Sequence, residues 1–222
     1  MEYQIRKTAI PPAMRGEWDS AVWQQAETGE LTHFLPRSSE HHPRVRFRLL
    51  YDEQALYVIF RVEDQYVRSV VTALHGPVCT DSCTEFFVQP GSDTGYINFE
   101  VNCGGSMLAY YIEDCTIVNG DFKKRTALAS EDAALMQIYH SMPEVVKPEI
   151  TTPVTWVNEL RIPFVLFEKY MGPLGTPDGQ QWTANFYKCA DATSHPHWLT
   201  WAPVSGQNFH QPGYFAPIIF QK

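Results

Sequence analysis

The sequence predicts an all-β fold, an antiparallel β-sandwich of jelly-roll type with one or two short helices. Short segments with apolar residues at every second position recur at steady intervals along the chain, which is the pattern of half-buried strands. Thirteen glycines and sixteen prolines separate them as turn formers. Only one stretch has helix boundaries at both ends. Many short strands with frequent turns, and little helix, fit a sandwich or jelly roll. With 222 residues, no internal repeat and no long linker, the whole chain 1–222 is expected to form one domain.

Residues 3–9 form a candidate first strand, and Pro11-Pro12 interrupts it. Trp18 and Trp23 flank a short turn or helix, and residues 27–43 read as loop with an apolar pair at Phe34-Leu35. Val45, Phe47 and Leu49 then alternate with Arg44, Arg46 and Arg48. After a turn over 51–55, Leu56, Val58, Phe60 and Val62 alternate again, and residues 67–74 suggest a further strand. The clearest hairpin pairs 82–89 with 96–102 through a turn at 90–95 rich in Gly and Asp. On its return strand Ile97, Phe99 and Val101 share one face, while Tyr96, Asn98, Glu100 and Asn102 share the other. That polar row is either a solvated sheet face or the floor of a groove. Residues 107–112 add a strand, and 113–131 read as polar and irregular. Further strands are expected at 135–141, 154–162, 182–189 and 215–220. The helix is residues 164–171, opened by Pro163 and closed by Gly172.

Composition removes several classes of function. The formal charge is −8, and no Lys/Arg cluster offers a footprint for phosphates, so no nucleic-acid partner is expected. No window approaches the ~18 apolar residues of a membrane span, so no membrane insertion is expected. The N-terminal Met1-Glu-Tyr-Gln-Ile-Arg-Lys7 lacks the apolar core of a secretory signal. The expectation is a cytoplasmic protein, or a periplasmic or extracellular one if a signal has been removed. Five cysteines without CxxC spacing support neither a disulfide framework nor a zinc motif. No feature sets the oligomeric state.

Residues 185–203 concentrate the chemistry. Asn185, Tyr187, Lys188 and Asp191 lie on or just beyond a strand, followed by His195, His197, Trp198 and Trp201. The histidines, with His210, offer metal ligands or plain hydrogen-bonding groups. Glu85, Glu100 and Asp191 are candidate acids, but no spacing marks an acid–nucleophile pair. Asp52, Asp64 and Asp81 near strand ends are candidate calcium ligands, with solvated turn carboxylates as the alternative. A sugar needs flat aromatic faces for its C–H surfaces and edge-on polar groups for its hydroxyls. Glu85, Asn98, Glu100, Asn185, Tyr187, Lys188, Asp191, His197 and Trp198 supply that mixture. Lys188 beside carboxylates would favour an acidic or substituted sugar. Trp198 and Trp201 can equally be core aromatics.

The chain resembles the family 9 carbohydrate-binding modules over roughly residues 17–220. The ordered blocks that carry the resemblance are Leu50-Tyr-Asp-Glu-Gln-Ala-Leu-Tyr-Val58 with Val62-Glu-Asp64, and Asp81-Ser-Cys-Thr-Glu-Phe-Phe87. They continue through Tyr96-Ile-Asn-Phe-Glu-Val-Asn102-Cys-Gly104, Trp156-Val-Asn-Glu-Leu-Arg-Ile-Pro163 and Trp182-Thr-Ala-Asn-Phe-Tyr-Lys188. The resemblance implies a β-sandwich that binds a carbohydrate without catalysis, with structural calcium in some members. It implies ligand contacts from Glu85, from Asn98 or Glu100, and from Asn185. It also implies two stacking tryptophans, where this chain has Cys79 and Lys188. Trp198 is the candidate substitute for one of them. The competing readings are a glycan hydrolase or lyase on the same scaffold, and a partner-binding protein that has lost its sugar affinity.

Overall fold

Sixteen strands form the framework of this computed structural model, which describes residues 1–91 and 95–222. They are β1 (Tyr3–Lys7), β2 (Gly29–Leu31), β3 (His33–Phe34), β4 (Arg44–Tyr51), β5 (Ala55–Asp64), β6 (Val67–Ser69), β7 (Cys83–Gln89) and β8 (Tyr96–Asn102). The second half supplies β9 (Met107–Val118), β10 (Asp121–Ala127), β11 (Gln137–His140), β12 (Val146–Ile150), β13 (Val154–Pro163), β14 (Gln181–Cys189), β15 (Trp198–Thr200) and β16 (Ala216–Phe220). Two short helices, α1 (Ser130–Ala133) and α2 (Phe164–Met171), join them. The centre of the expected turn at 90–95 lies outside the described residues.

One layer runs β10-β9-β8-β7-β14-β16-β1, and the other β1-β4-β5-β13-β11, with β2 beside β4. β1 belongs to both. Tyr3–Ile5 pair in parallel with Ile218–Phe220, and Arg6 and Lys7 then pair in parallel with Leu50 and Tyr51. The sandwich is therefore mixed where all-antiparallel pairing was expected, and the two parallel pairings both belong to this crossing strand. β15 continues the edge of β14 beyond the point where β16 ends, and β6 and β12 form a separate two-stranded ribbon.

Alternation along the strands fills the space between the layers. Val45, Phe47 and Leu49 from β4, with Val58, Phe60 and Val62 from β5, face Phe86, Val88, Phe99, Ala184 and Phe186. Phe186 sits at the centre, stacked on Phe47 with ring centroids 3.7 Å apart and on Phe86 at 5.0 Å. Leu166 and Phe167 of α2 close one end of the core, and Phe167 packs edge-on against Trp182. That helix begins after Pro163 and ends at Gly172, whose φ of 86° suits a residue without Cβ. Trp18 and Trp23 instead cover the outer face of the second layer, against Leu50, Tyr57 and Ile59.

The region read as irregular, 113–131, contains the end of β9 and all of β10. Its turn is Asn119-Gly120, both at positive φ (54° and 85°), as a tight two-residue hairpin requires. The extended arms are largely exposed, Ile117 and Val118 included, and are held by ion pairs Lys123–Asp114 and Lys124–Glu113, while Phe122 packs onto the first layer, so no regular apolar alternation marks them. Their base reaches over the outer face of the first layer. Among the described residues, no helix is long and apolar enough to cross a membrane.

Truncating the central ring removes both stacking contacts and leaves a cavity between the layers. Phe186→Ala is expected to cost ~3–5 kcal/mol of stability, read from urea unfolding midpoints of the two proteins.

Candidate functional site

Strand register places the candidate groups on the outer face of the first layer. Three cross-strand rows meet there, Asn102–Cys83–Cys189–Trp198, Leu108–Glu100–Glu85–Tyr187–Thr200 and Tyr110–Asn98–Phe87–Asn185. Residues directly opposite in an antiparallel pair point to the same side, so each row presents its side chains together. The face is not solvated. Segment 201–215 and the base of the β9–β10 hairpin fold over it, burying Phe87, Tyr96, Ile112, Tyr187 and Phe215. Between this cover and β15 remains a cleft of about 320 Å³.

Five of the nine candidate ligand-binding residues line that cleft, namely Glu85, Asn98, Glu100, Asp191 and Trp198. Trp198 is half-buried, and its indole Nε1 donates to Asp191 Oδ1 at 2.7 Å, which fixes the ring at the mouth. Asn98 donates to Glu100 Oε1 at 2.7 Å and accepts from the Tyr110 amide at 2.8 Å. Glu85 accepts one weak hydrogen bond, from Cys189 Sγ at 2.9 Å. Burial pushes Glu100 up to about 7. Burial, and then the charge of Glu100 directly across the strand pair, raise Glu85 well above the usual carboxylate range.

The other four do not line the cleft. Asn185 spends its amide on the covering segment, donating to Ala202 O and accepting from Ala202 N, each at 2.9 Å. The Tyr187 ring lies under Phe209, with centroids 4.2 Å apart, and its hydroxyl donates to Phe209 O. Lys188 lies one residue out of phase and points into the sandwich. There Nζ sits 2.7 Å from His197 Nε2 and 3.5 Å from Asp64 Oδ2, all fully buried. Lys188 therefore contributes no charge at the cleft wall and takes no place in a stacking clamp; the cleft's cation is Arg125, 4.4 Å above the Tyr110 ring. Burial, then the Lys188 charge, push His197 down to about 3. Its neutral ring donates through Nδ1 to His195 O and accepts from Lys188. Burial opposes the charge on Asp64, yet Lys188 and the hydrogen bond from His41 hold its carboxyl below the usual range.

The three candidate calcium ligands are dispersed, and each is committed to protein donors. Asp52 caps its turn through the amides of Gln54 and Ala55, and Asp64 belongs to the Lys188 cluster. Asp81 accepts from Arg68, from the amides of Val70 and Val71, and from Asn102. These residues do not fit a shared calcium cage. Sequence reasoning missed Tyr110, Phe122, Arg125, Gln207 and His210 as cleft residues. Tyr110 lies on the expected strand 107–112, whose pattern does not show which face meets the site, and the others come from β10 and the covering segment, which carry no strand pattern pointing at it. Gln207 is notable because its Nε2 is buried and has no hydrogen-bond partner among the described residues.

The sequence profile of carbohydrate-binding family 9 matches residues 19–220. The match takes in nearly all of the chain, which belongs to this family. Among solved structures, a proposed carbohydrate-binding protein from Bacteroides uniformis is similar at 27% identity with a TM-score of 0.86, covering 99% of each chain. A family 9 module from Caldicellulosiruptor kristjanssonii in complex with cellotriose shares the fold at 17% identity and a TM-score of 0.67, covering 100% of this chain and 94% of that one. A family 9 module from the same organism in complex with glucose does so at 16% and 0.61, covering 98% and 95%. A search of curated proteins finds no match.

Two outcomes test the electrostatics. A carboxyl raised from 4.5 to about 7 by folding contributes stability below 4.5 and loses it as the pH rises through 7. Glu100→Gln keeps the acceptor for Asn98 without the charge, so relative to wild type it should gain roughly 1–3 kcal/mol between pH 4.5 and 8, measured by urea unfolding at both pH values. Lys188→Met strands the buried Asp64 and is expected to cost ~3–5 kcal/mol, with part of the loss recovered by adding Asp64→Asn.

Proposed function

We propose that this member of carbohydrate-binding family 9 holds its sugar in the cleft between Trp198 and the Glu85–Glu100–Asn98 rows, without catalysing its cleavage. The observation that carries the reading is the pairing of one flat face with several directed polar groups. Trp198 offers an indole plane held in place by Asp191, and Tyr110 and Phe122 add aromatic surface. Sugar hydroxyls each donate and accept. Glu85, Glu100 and Asn98 supply acceptors at the floor, while Arg125 supplies donors, and Gln207 Nε2, buried in the wall without a partner among the described residues, is a further donor. A protonated Glu100 also donates.

The volume lies at the lower end of small-molecule sites, ~300–1,000 Å³, and suits one or two sugar rings rather than a long chain laid along the sheet. Trp198 takes the stacking role that the family resemblance gives to residues replaced here by Cys79 and Lys188. Cys79 lines the cleft and is too small to stack.

Glucose and cellotriose, with a wider panel of neutral and acidic glycans, are the probes for calorimetry and tryptophan fluorescence. Trp198→Ala is expected to weaken binding of the best ligand at least tenfold, ~1.4 kcal/mol or more, with the unfolding midpoint little changed. Equal affinity in the variant would remove the stacking role. Release of reducing ends that stops in Glu85→Gln would mark an enzyme instead.

A further inference from the structure

The inner end of the cleft carries a second arrangement, which shares Glu85 with the floor of the proposed sugar site. Cys83 and Cys189 are direct cross-strand partners on β7 and β14, and Glu85 lies two residues along β7 on the same face. The two thiol sulfurs and a Glu85 carboxylate oxygen all lie within 4.8 Å of one another. A tetrahedral zinc ion with Zn–S of ~2.3 Å and Zn–O of ~2.0–2.2 Å sets its ligand atoms ~3.5–3.8 Å apart. Cys189 Sγ and Glu85 Oε1 are 2.9 Å apart, as a hydrogen bond requires, and would open by less than about 1 Å to take an ion, and all three ligands stand on rigid strands rather than loops. We propose that Cys83 Sγ, Cys189 Sγ and the Glu85 carboxylate form a binding site for a thiophilic divalent cation of the zinc class, with the fourth position open to the cleft.

Two further observations favour a cation there. The Glu85 carboxylate is 2% exposed, and its one hydrogen bond among the described residues comes from a thiol, a weak donor. A buried carboxylate paired so poorly is costly, and a cation would satisfy all three groups together. Glu85 and Cys189 also line the cleft, which gives an ion a route from solvent. Binding of M²⁺ would release both thiol protons to solvent, plus any proton held on Glu85, as two M–S bonds and one M–O bond form. The other compact group of ligand atoms, His41, Asp64 and His197, is different: Lys188 Nζ already lies 2.7 Å from His197 and 3.5 Å from Asp64.

The test is titration of the reduced full-length chain with Co²⁺, watching the thiolate-to-Co²⁺ charge-transfer band and the visible bands of tetrahedral cobalt. One equivalent should saturate the signal, and one equivalent of Zn²⁺ should abolish it. Cys83→Ser and Cys189→Ser are each expected to lose the charge-transfer band or halve it with at least a tenfold loss of affinity. Glu85→Gln should weaken affinity at least tenfold while keeping the band, and Cys79→Ser and Cys103→Ser should leave both unchanged. Circular dichroism shows which variants are folded; if a serine variant is not, the wild-type signal and Glu85→Gln decide. No band in the reduced wild type, a band that survives both serine variants, or three free thiols instead of five before reduction would overturn the proposal, the last by showing a Cys83–Cys189 disulfide. Trp198→Ala separates this site from the sugar reading, because it should impair glycan binding and leave the cobalt band intact.

Discussion

The pairing of β7 with β14 is the constraint on which both the core and the cleft depend. Strand side chains alternate strictly, so one register sends Phe86, Phe186 and Lys188 into the sandwich and Glu85, Tyr187 and Cys189 to the outer face. A slip of one residue would exchange the two sets. It would put the Glu85 carboxylate where Phe86 now stacks on Phe186 and an aromatic ring where the cleft has its floor. The burial of Phe186 thus holds Glu85 in place from the opposite side of the same ladder.

The same alternation explains the buried cation. Lys188 falls on the inner face near the end of β14, where an apolar residue would be the simple choice. Asp64 at the end of β5 meets it there, and His197, held neutral by burial, supplies a further acceptor. The Trp156 indole adds a ring face 5.9 Å away. This cluster ties β14, β5 and the segment leading into β15 together. It thereby sets the position of Trp198, the next residue after His197. An interior ion network and the outer stacking face are consecutive in sequence and lie on opposite sides of one strand.

On the outer face the polar row is neither solvated nor packed away. Segment 201–215 covers it only in part, fixed by Asn185 at Ala202 and by Tyr187 at Phe209. What stays uncovered is the part where three acids and Trp198 meet. Burial raises the carboxyls of Glu85 and Glu100, so near neutral pH the cleft carries less negative charge than its composition suggests. Such a floor can donate as well as accept hydrogen bonds. This suits hydroxyl-rich ligands and eases the repulsion between two acids placed directly opposite each other.

Much of the architecture was legible in the sequence because period-two alternation and turn residues are local signals. β4, β5, β7, β8, β13 and β14 and the helix after Pro163 all follow from them. The β9–β10 hairpin lacks the alternation, and its Asn119-Gly120 turn lies in a stretch that reads as irregular. Glu85, Asn98, Glu100, Asp191 and Trp198 were readable as candidate cleft residues because they combine the right chemistry with strands or strand ends. Their division from Asn185, Tyr187, Lys188 and His197 was not readable. Alternation separates Lys188 from its neighbours, but it does not say which face is core when both faces are buried. The fates of Asn185 and Tyr187 depend on a covering segment that returns from residues 201–215. By itself the sequence determined the strands that alternate, the sandwich and the types of group available for a ligand, but not β2, β3, β10, β12 or β15. Tertiary structure alone decided which of those groups remain open to one, because that is settled by contacts between segments far apart in the chain.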